Sequence, residues 1–278
     1  MNQTQEGGEM KLYTKELPVI DGPLIVGFDV EWTKNYQQKR ANRAFCFSLV
    51  WVRAEQPEDI STLERTLAFG FISGYAEAEA ECQDLCLHAN RCVDQVLAST
   101  NVIVGHQFSS DLSVLLACSE ERLPAVERLQ QAWHTRRHPL AERAVGVFDT
   151  RYDLPISNGA ASNKLVHVCP AWNLLVTQPE IKGSMTKMQR DFYQNHAVLT
   201  REKIAVLNLR HSLSSVLLYL FHRDARPTRP VNINIILYHN LSEQFDYVRS
   251  DRFGSLLLEG SADADAVGAP MCAQGAAT

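Results

Sequence analysis

Long apolar runs are scarce in this 278-residue chain, and the longest near its C-terminal end, SLSSVLLYLF, is about half of what a membrane span needs. No membrane association is expected. The opening MNQTQEGGEMKLYTKE has no apolar centre of the kind a secretory signal carries. The 7 cysteines, an odd number, stand in no regular spacing, so a disulfide framework is not indicated and a reduced, cytoplasmic setting is the expectation. Also missing are a Gly-rich phosphate loop, a Gly-x-Ser-x-Gly elbow and a His-Glu-x-x-His pair. No internal repeat and no linker rich in Gly, Pro or Ser divides the chain.

The stretch CQDLCLHANRC (82–92) invites a zinc reading. On one helix Cys82 and Cys86 share a face, but His88 and Cys92 lie well round the cylinder, so buried free cysteines fit the spacing better. Net charge is −5, which favours no partner class by itself. Its distribution says more. Acids crowd residues 54–94, whereas Lys182, Lys187, Arg190, Arg201, Lys203 and Arg210 outnumber Asp191 and Glu202 further on. One surface can thus face a polyanion, and the alternative is two ordinary solvated faces.

Length and apolar content allow one large domain. Residues 1–18 and 259–278 read as loose, the latter small and Ala-rich, leaving 19–258 as the folded unit. Strands are predicted at 24–32, 44–52, 65–72, 101–105 and 144–150. Helices are predicted at 76–98, from Asp111, from Pro124, over 207–221 and over 241–249. Strands first, then alternating helix and strand, give a mixed α/β sheet flanked by helices, antiparallel at the start and parallel later.

Within that frame the run LIVGFDVEW (24–32) is unusual, because two carboxylates enter an apolar strand. Side chains two apart on a strand share a face, so Asp29 and Glu31 point together. Carboxylates held that close favour a divalent cation, Mg²⁺ or Mn²⁺, although an edge strand with solvated acids would look the same. A second stretch, VIVGHQFSSDLSVL, runs strand, glycine, turn and then Asp111 at a helix start, where an aspartate also suits the helix dipole. A third, VGVFDT, ends a strand in Asp149. YHNLSEQFDYV offers His239, Glu243 and Asp246.

Together these residues resemble the DEDD family of 3′-to-5′ exonucleases, which have a ribonuclease-H-like fold. That family carries D-x-E on its first strand, matched by Asp29 and Glu31. A Gly-His turn then leads into a helix-starting Asp, matched by GHQFSSDL with Asp111. A later strand ends in Asp-Thr, matched by Asp149 and Thr150. The likeness spans residues 24–250 and departs at the last helix, where the family has an Asp with His five or Tyr four residues before it. Here Asp246 follows His239 by seven, and LRHSLSSVLLYL reads as the packing helix that precedes that element.

The resemblance implies Asp29, Glu31, Asp111 and Asp246 as ligands of two Mg²⁺ or Mn²⁺ ions about 3.5–4 Å apart. It makes Glu243 the substitute ligand and His239 the base, and it puts Asp149 and His106 in support of the ligands. The activity implied is hydrolysis of DNA or RNA phosphodiesters from a single-stranded 3′ end. A basic insertion around 155–210, with Lys182, Lys187, Arg190 and Arg201, would hold the strand; its alternative is a solvated helix with a small aromatic anchor. Two rival readings are a nucleic-acid-binding module whose catalysis has decayed and a protein-interaction scaffold docking through 54–94.

Overall fold

The computed structural model describes residues 10–16, 23–34, 42–54, 62–98, 100–139, 145–155, 160–177 and 184–258. Six strands form one sheet: β1 (Lys11–Lys15), β2 (Leu24–Thr33), β3 (Arg43–Arg53), β4 (Gly70–Tyr75), β5 (Thr100–Gly105) and β6 (Gly146–Asp149). Their order across the sheet is β1-β4-β3-β2-β5-β6. The pairs β1–β4, β4–β3 and β3–β2 are antiparallel, whereas β5 runs parallel to β2 and β6 parallel to β5. This is the mixed sheet that the strand pattern predicts.

The helices, in chain order, are α1 (Leu63–Thr66), α2 (Cys82–Leu97), α3 (Phe108–Cys118), α4 (Pro124–His134), α5 (Leu165–Ala171), α6 (Met185–Asn195), α7 (Val198–Arg223), α8 (Ile233–Leu241), α9 (Asp246–Arg249) and α10 (Asp251–Leu257). Two short strands, β7 (Leu174–Leu175) and β8 (Val231–Asn232), pair in parallel beside the main sheet. Strand alternation sorts the core into two halves. Val26, Phe28 and Val30 of β2 face α2, α3 and α4, while Ile25 faces α7 and α8. Each side chain taken fully out of water in this way is worth about 1.5–3 kcal/mol.

Helix α7 is the largest single contributor to the second half. It is long and apolar enough to cross a membrane, but 89% of its most apolar window is buried inside this fold. Gly27 explains how closely it lies. A Cβ on Gly27 would stand 2.3 Å from the Ser212 carbonyl oxygen and 2.7 Å from Val216 Cγ2. Only a residue without a side chain lets the helix backbone settle there. Ser212 also meets Ser48 of β3, hydroxyl to hydroxyl at 2.7 Å, which fixes the helix across two strands.

Several elements differ from the sequence expectation. Lys11–Lys15 lies within the stretch expected to be loose, yet it adds the edge strand β1 to β4. The third strand runs Gly70–Tyr75 rather than 65–72, because residues 63–66 wind into a helical turn. Helix α7 begins at Val198, and the final helix expected over 241–249 is instead α8 and α9, broken after Leu241. The 155–210 region is no appendage, since it supplies the first half of α7 and buries Gln189 and Phe192 of α6. The tail from 259 lies outside the described residues.

Gly27→Ala is expected to lower stability by about 1–3 kcal/mol in urea unfolding. Adding Val216→Ala should restore little, because the shorter contact is with backbone. An unchanged midpoint for Gly27→Ala would mean that α7 shifts without cost.

Candidate metal centre

On β2, Asp29 and Glu31 follow Ile25 and Gly27 on the same face. Because Ser212 sits over Gly27, the preceding turn of α7, carrying Asn208 and His211, lies over the two acids. Asn208 Nδ2 donates to Asp29 Oδ2 at 2.6 Å. His211 Nδ1 stands 3.4 Å from Asp29 Oδ2 and 3.2 Å from Glu31 Oε1, bridging the pair. All three side chains are largely buried, with exposures of 14%, 13% and 25% for Asp29, Glu31 and His211. Just past Glu31 the β2–β3 register shifts, so the alternation that aims the acids ends there.

Burial raises the Asp29 pKa to about 6, with His211 opposing and Glu31 adding to the rise. Burial pulls the His211 pKa down, but Asp29 and Glu31 beside it carry it up to about 10. Without a metal, the His211 imidazolium therefore offsets one of the two carboxylate charges.

Asp111 occupies the first turn of α3 and is 3% exposed. Its pKa stands well above the usual range, raised first by burial and then by Asp29, Glu31 and Asp149. Three of the expected ligand acids, Asp29, Glu31 and Asp111, thus act on one another across two elements. Asp149 has a different task. Its carboxylate accepts the Gln107 and Phe108 N–H groups at 3.0 Å each, the Arg151 N–H at 3.0 Å and Trp133 Nε1 at 2.9 Å. It ties the end of β6 to the head of α3 and the C-terminal end of α4, and so positions the turn that presents Asp111.

His106 stands in the same turn. Thr150 Oγ1 donates to the Gly105 carbonyl, which leaves His106 Nδ1–H to donate to Thr150 Oγ1 at 3.0 Å. Burial, then the charges of His211 and Arg151, lower the His106 pKa to about 4. The next residue, Gln107, has a left-handed backbone with φ of 59°, held by the Asp149 bond. Both His106 and Asp149 brace the turn.

The last element is placed elsewhere. Asp246 is exposed on α9 with its carboxylate on Arg249. The neighbouring Tyr247 N–H binds Glu202, nine residues and about 13 Å along α7 from His211. Asp246 therefore does not join Asp29, Glu31 and Asp111. His239 is exposed on α8, and Glu243 is exposed near Lys15 of β1. The physical reason is packing: Asn240 and Gln244 bind Lys15, Leu67 and Thr14, which docks α8 and the turn after it at the β1 side of the sheet. Of the basic residues, Lys187 and Arg190 are exposed on α6, and Lys182 lies outside the described residues. Arg201 is spent on Glu77 and the Tyr13 hydroxyl, a structural engagement.

Ligand atoms of Asp29, Glu31 and His211 all lie within 4.8 Å of one another, so the three form a possible metal-binding cluster. Asn208 Oδ1 is buried beside it with no partner among the described residues. Two carboxylate oxygens and one imidazole nitrogen fit one divalent ion. The imidazole was the residue that sequence reasoning passed over. Its signal was Asn208 and His211 three apart, hence on one face, in a helix otherwise apolar enough for the core.

Two measurements probe this centre. Because the folded His106 pKa lies below its unfolded value of about 6.5, the unfolded chain takes its proton first. Stability from this residue is present above pH 6.5 and drains away as pH falls towards 4, by about 3 kcal/mol in all. A comparison of acid unfolding should show this component missing in His106→Gln, and parallel profiles would refute the assignment. In calorimetric titration with Mn²⁺, Asn208→Ala should weaken binding about 10- to 100-fold and His211→Ala should weaken it further. Equal affinity in all three proteins would place the ion elsewhere.

No protein-family model, curated protein or solved structure matches this chain.

Proposed function

We propose that this chain is a metal-dependent phosphodiesterase of the 3′-to-5′ exonuclease kind, built on a ribonuclease-H-like sheet. The observation that carries the proposal is the cluster of Asp29 and Glu31 with His211, joined by the charge of buried Asp111 at the head of α3, which acts on both strand acids. The sheet order supports it, since antiparallel strands lead into parallel ones and the acids stand where β2 runs on past its pairing with β5.

The donor set differs from the four acids expected. His211 stands beside Asp29 and Glu31, and Asp246 is absent from the group. Imidazole nitrogen suits transition metals better than Mg²⁺, so Mn²⁺ is the proposed physiological-type ion and one ion the proposed number. A divalent ion held there supplies Lewis acidity and a water of lowered pKa. The chain does the rest. Asn208 fixes the Asp29 carboxylate, Asp149 fixes the turn bearing Asp111, and the α7 helix covers the acids from bulk water. Neutral His106, held by Thr150, keeps a second imidazole near His211 without adding charge.

A second reading has its own observation. The His211 imidazolium already contacts both Asp29 and Glu31 and offsets one of their two charges, as it would in a nucleic-acid-binding module that has lost catalysis.

One assay separates the two. A 5′-labelled single-stranded oligonucleotide should shorten progressively with Mn²⁺, more slowly with Mg²⁺ and not at all with EDTA. Asp29→Ala and Asp111→Ala should each cost at least about 100-fold in rate, beyond the usual loss for a supporting residue. His211→Asp, which makes the site all-oxygen, should shift the preference towards Mg²⁺. Binding of DNA and RNA without any shortening would replace the enzyme by the binding module.

A further inference from the structure

The sequence assigns strand binding to the 182–210 region, but Arg201 there is committed to Glu77 and Tyr13. A different basic and aromatic group stands beside the candidate centre. Trp133, near the end of α4, stacks under the Arg136 guanidinium at 4.1 Å from ring centroid to charge. Arg136 binds Asp153 through Nε at 3.0 Å and is only 9% exposed, so this ion pair is a fixed base rather than a free charge. Tyr152 lies edge-on to Trp133 with centroids 6.2 Å apart, and the residue is 45% exposed. Arg137, 70% exposed, reaches the Tyr152 carbonyl at 3.3 Å and shares Asp153 at 3.6 Å while facing solvent, and the Arg151 guanidinium lies 5.7 Å from the Tyr152 ring.

This group is joined to the centre. Trp133 bonds Asp149, which also holds the head of α3. Arg151 bonds the Gln107 side chain, and its charge acts on His106 together with that of His211. The ring, exposed Arg137 and half-buried Arg151 are therefore held on a rigid base that adjoins the turn before Asp111. A half-exposed aromatic face between arginines offers stacking and phosphate contact at once, the chemistry of a single nucleic-acid strand. Cations also suit the C-terminal end of α4, which is the purely structural account.

We propose that Tyr152, Arg137 and Arg151 form the platform on which a single-stranded substrate rests, with a base stacked on Tyr152 and a backbone phosphate on Arg137. The proposal builds on the exonuclease reading. Because stacking carries no base-specific hydrogen bond, the platform accepts any sequence.

The test is fluorescence anisotropy of the full chain in EDTA with 5′-fluorescein dT12 and rU12, run beside the Mn²⁺ shortening assay. Tyr152→Ala should weaken binding about tenfold and Tyr152→Phe should restore it. Arg137→Ala, at an exposed position that leaves the fold intact, should lower the magnitude of the salt slope by about 0.7. Wild-type binding that neither Tyr152→Ala nor Arg137→Ala changes overturns the platform, and shortening that persists in those variants leaves the exonuclease standing. A wild-type protein that neither binds nor shortens either strand overturns both.

Discussion

Helix α7 lies on β2 at a distance that only Gly27 permits, and the candidate centre is a consequence of that contact. The Ser212 carbonyl takes the space a Cβ would fill, and the Ser48–Ser212 hydroxyl pair locks the crossing. With the helix pinned there, the residues one turn earlier have a single place to go. Asn208 meets Asp29, and His211 meets Asp29 and Glu31. Packing energy from the buried side of α7 thus offsets the cost of bringing an imidazole and two carboxylates out of water together.

On the other face, Asp149 gathers what Gly27 does not reach. Four donors converge on one buried carboxylate and set the turn between β5 and α3. Its pKa is raised by burial against the pull of those bonds, and losing the acceptor would leave the donors at the head of α3 and the end of α4 unanswered. The left-handed Gln107 is tolerated because two of those donors flank it.

Asp29, Glu31 and Asp111 were legible in the sequence because their signals are local. An acid pair at period two marks a strand face, and an aspartate after a Gly-His turn marks a helix start. His211 was not legible for the opposite reason. Its role depends on which helix crosses which strand, a contact between residues almost two hundred positions apart. Asp246 was misplaced by reasoning from chain order, whereas burial decides which helix covers the acids, and the long apolar α7 buries more than the short helices after it. β1 escaped notice because Tyr13 is its one buried side chain, too few for an alternating pattern.

The small β7–β8 pair gives the molecule a seam. Leu174 meets Val231 and Leu175 meets Asn232, so the chain leaves and returns at one point with α6 and α7 between. Asn208 and His211 belong to that excursion, while Asp29 and Glu31 belong to the main sheet and Asp111 to the helix that follows β5. Heredity can therefore rewrite the two halves of the centre separately. Strand pairing fixes where the acids point whatever the excursion offers them, and a new helix segment that still respects the Gly27 seat would bring a new residue to the same pair of carboxylates.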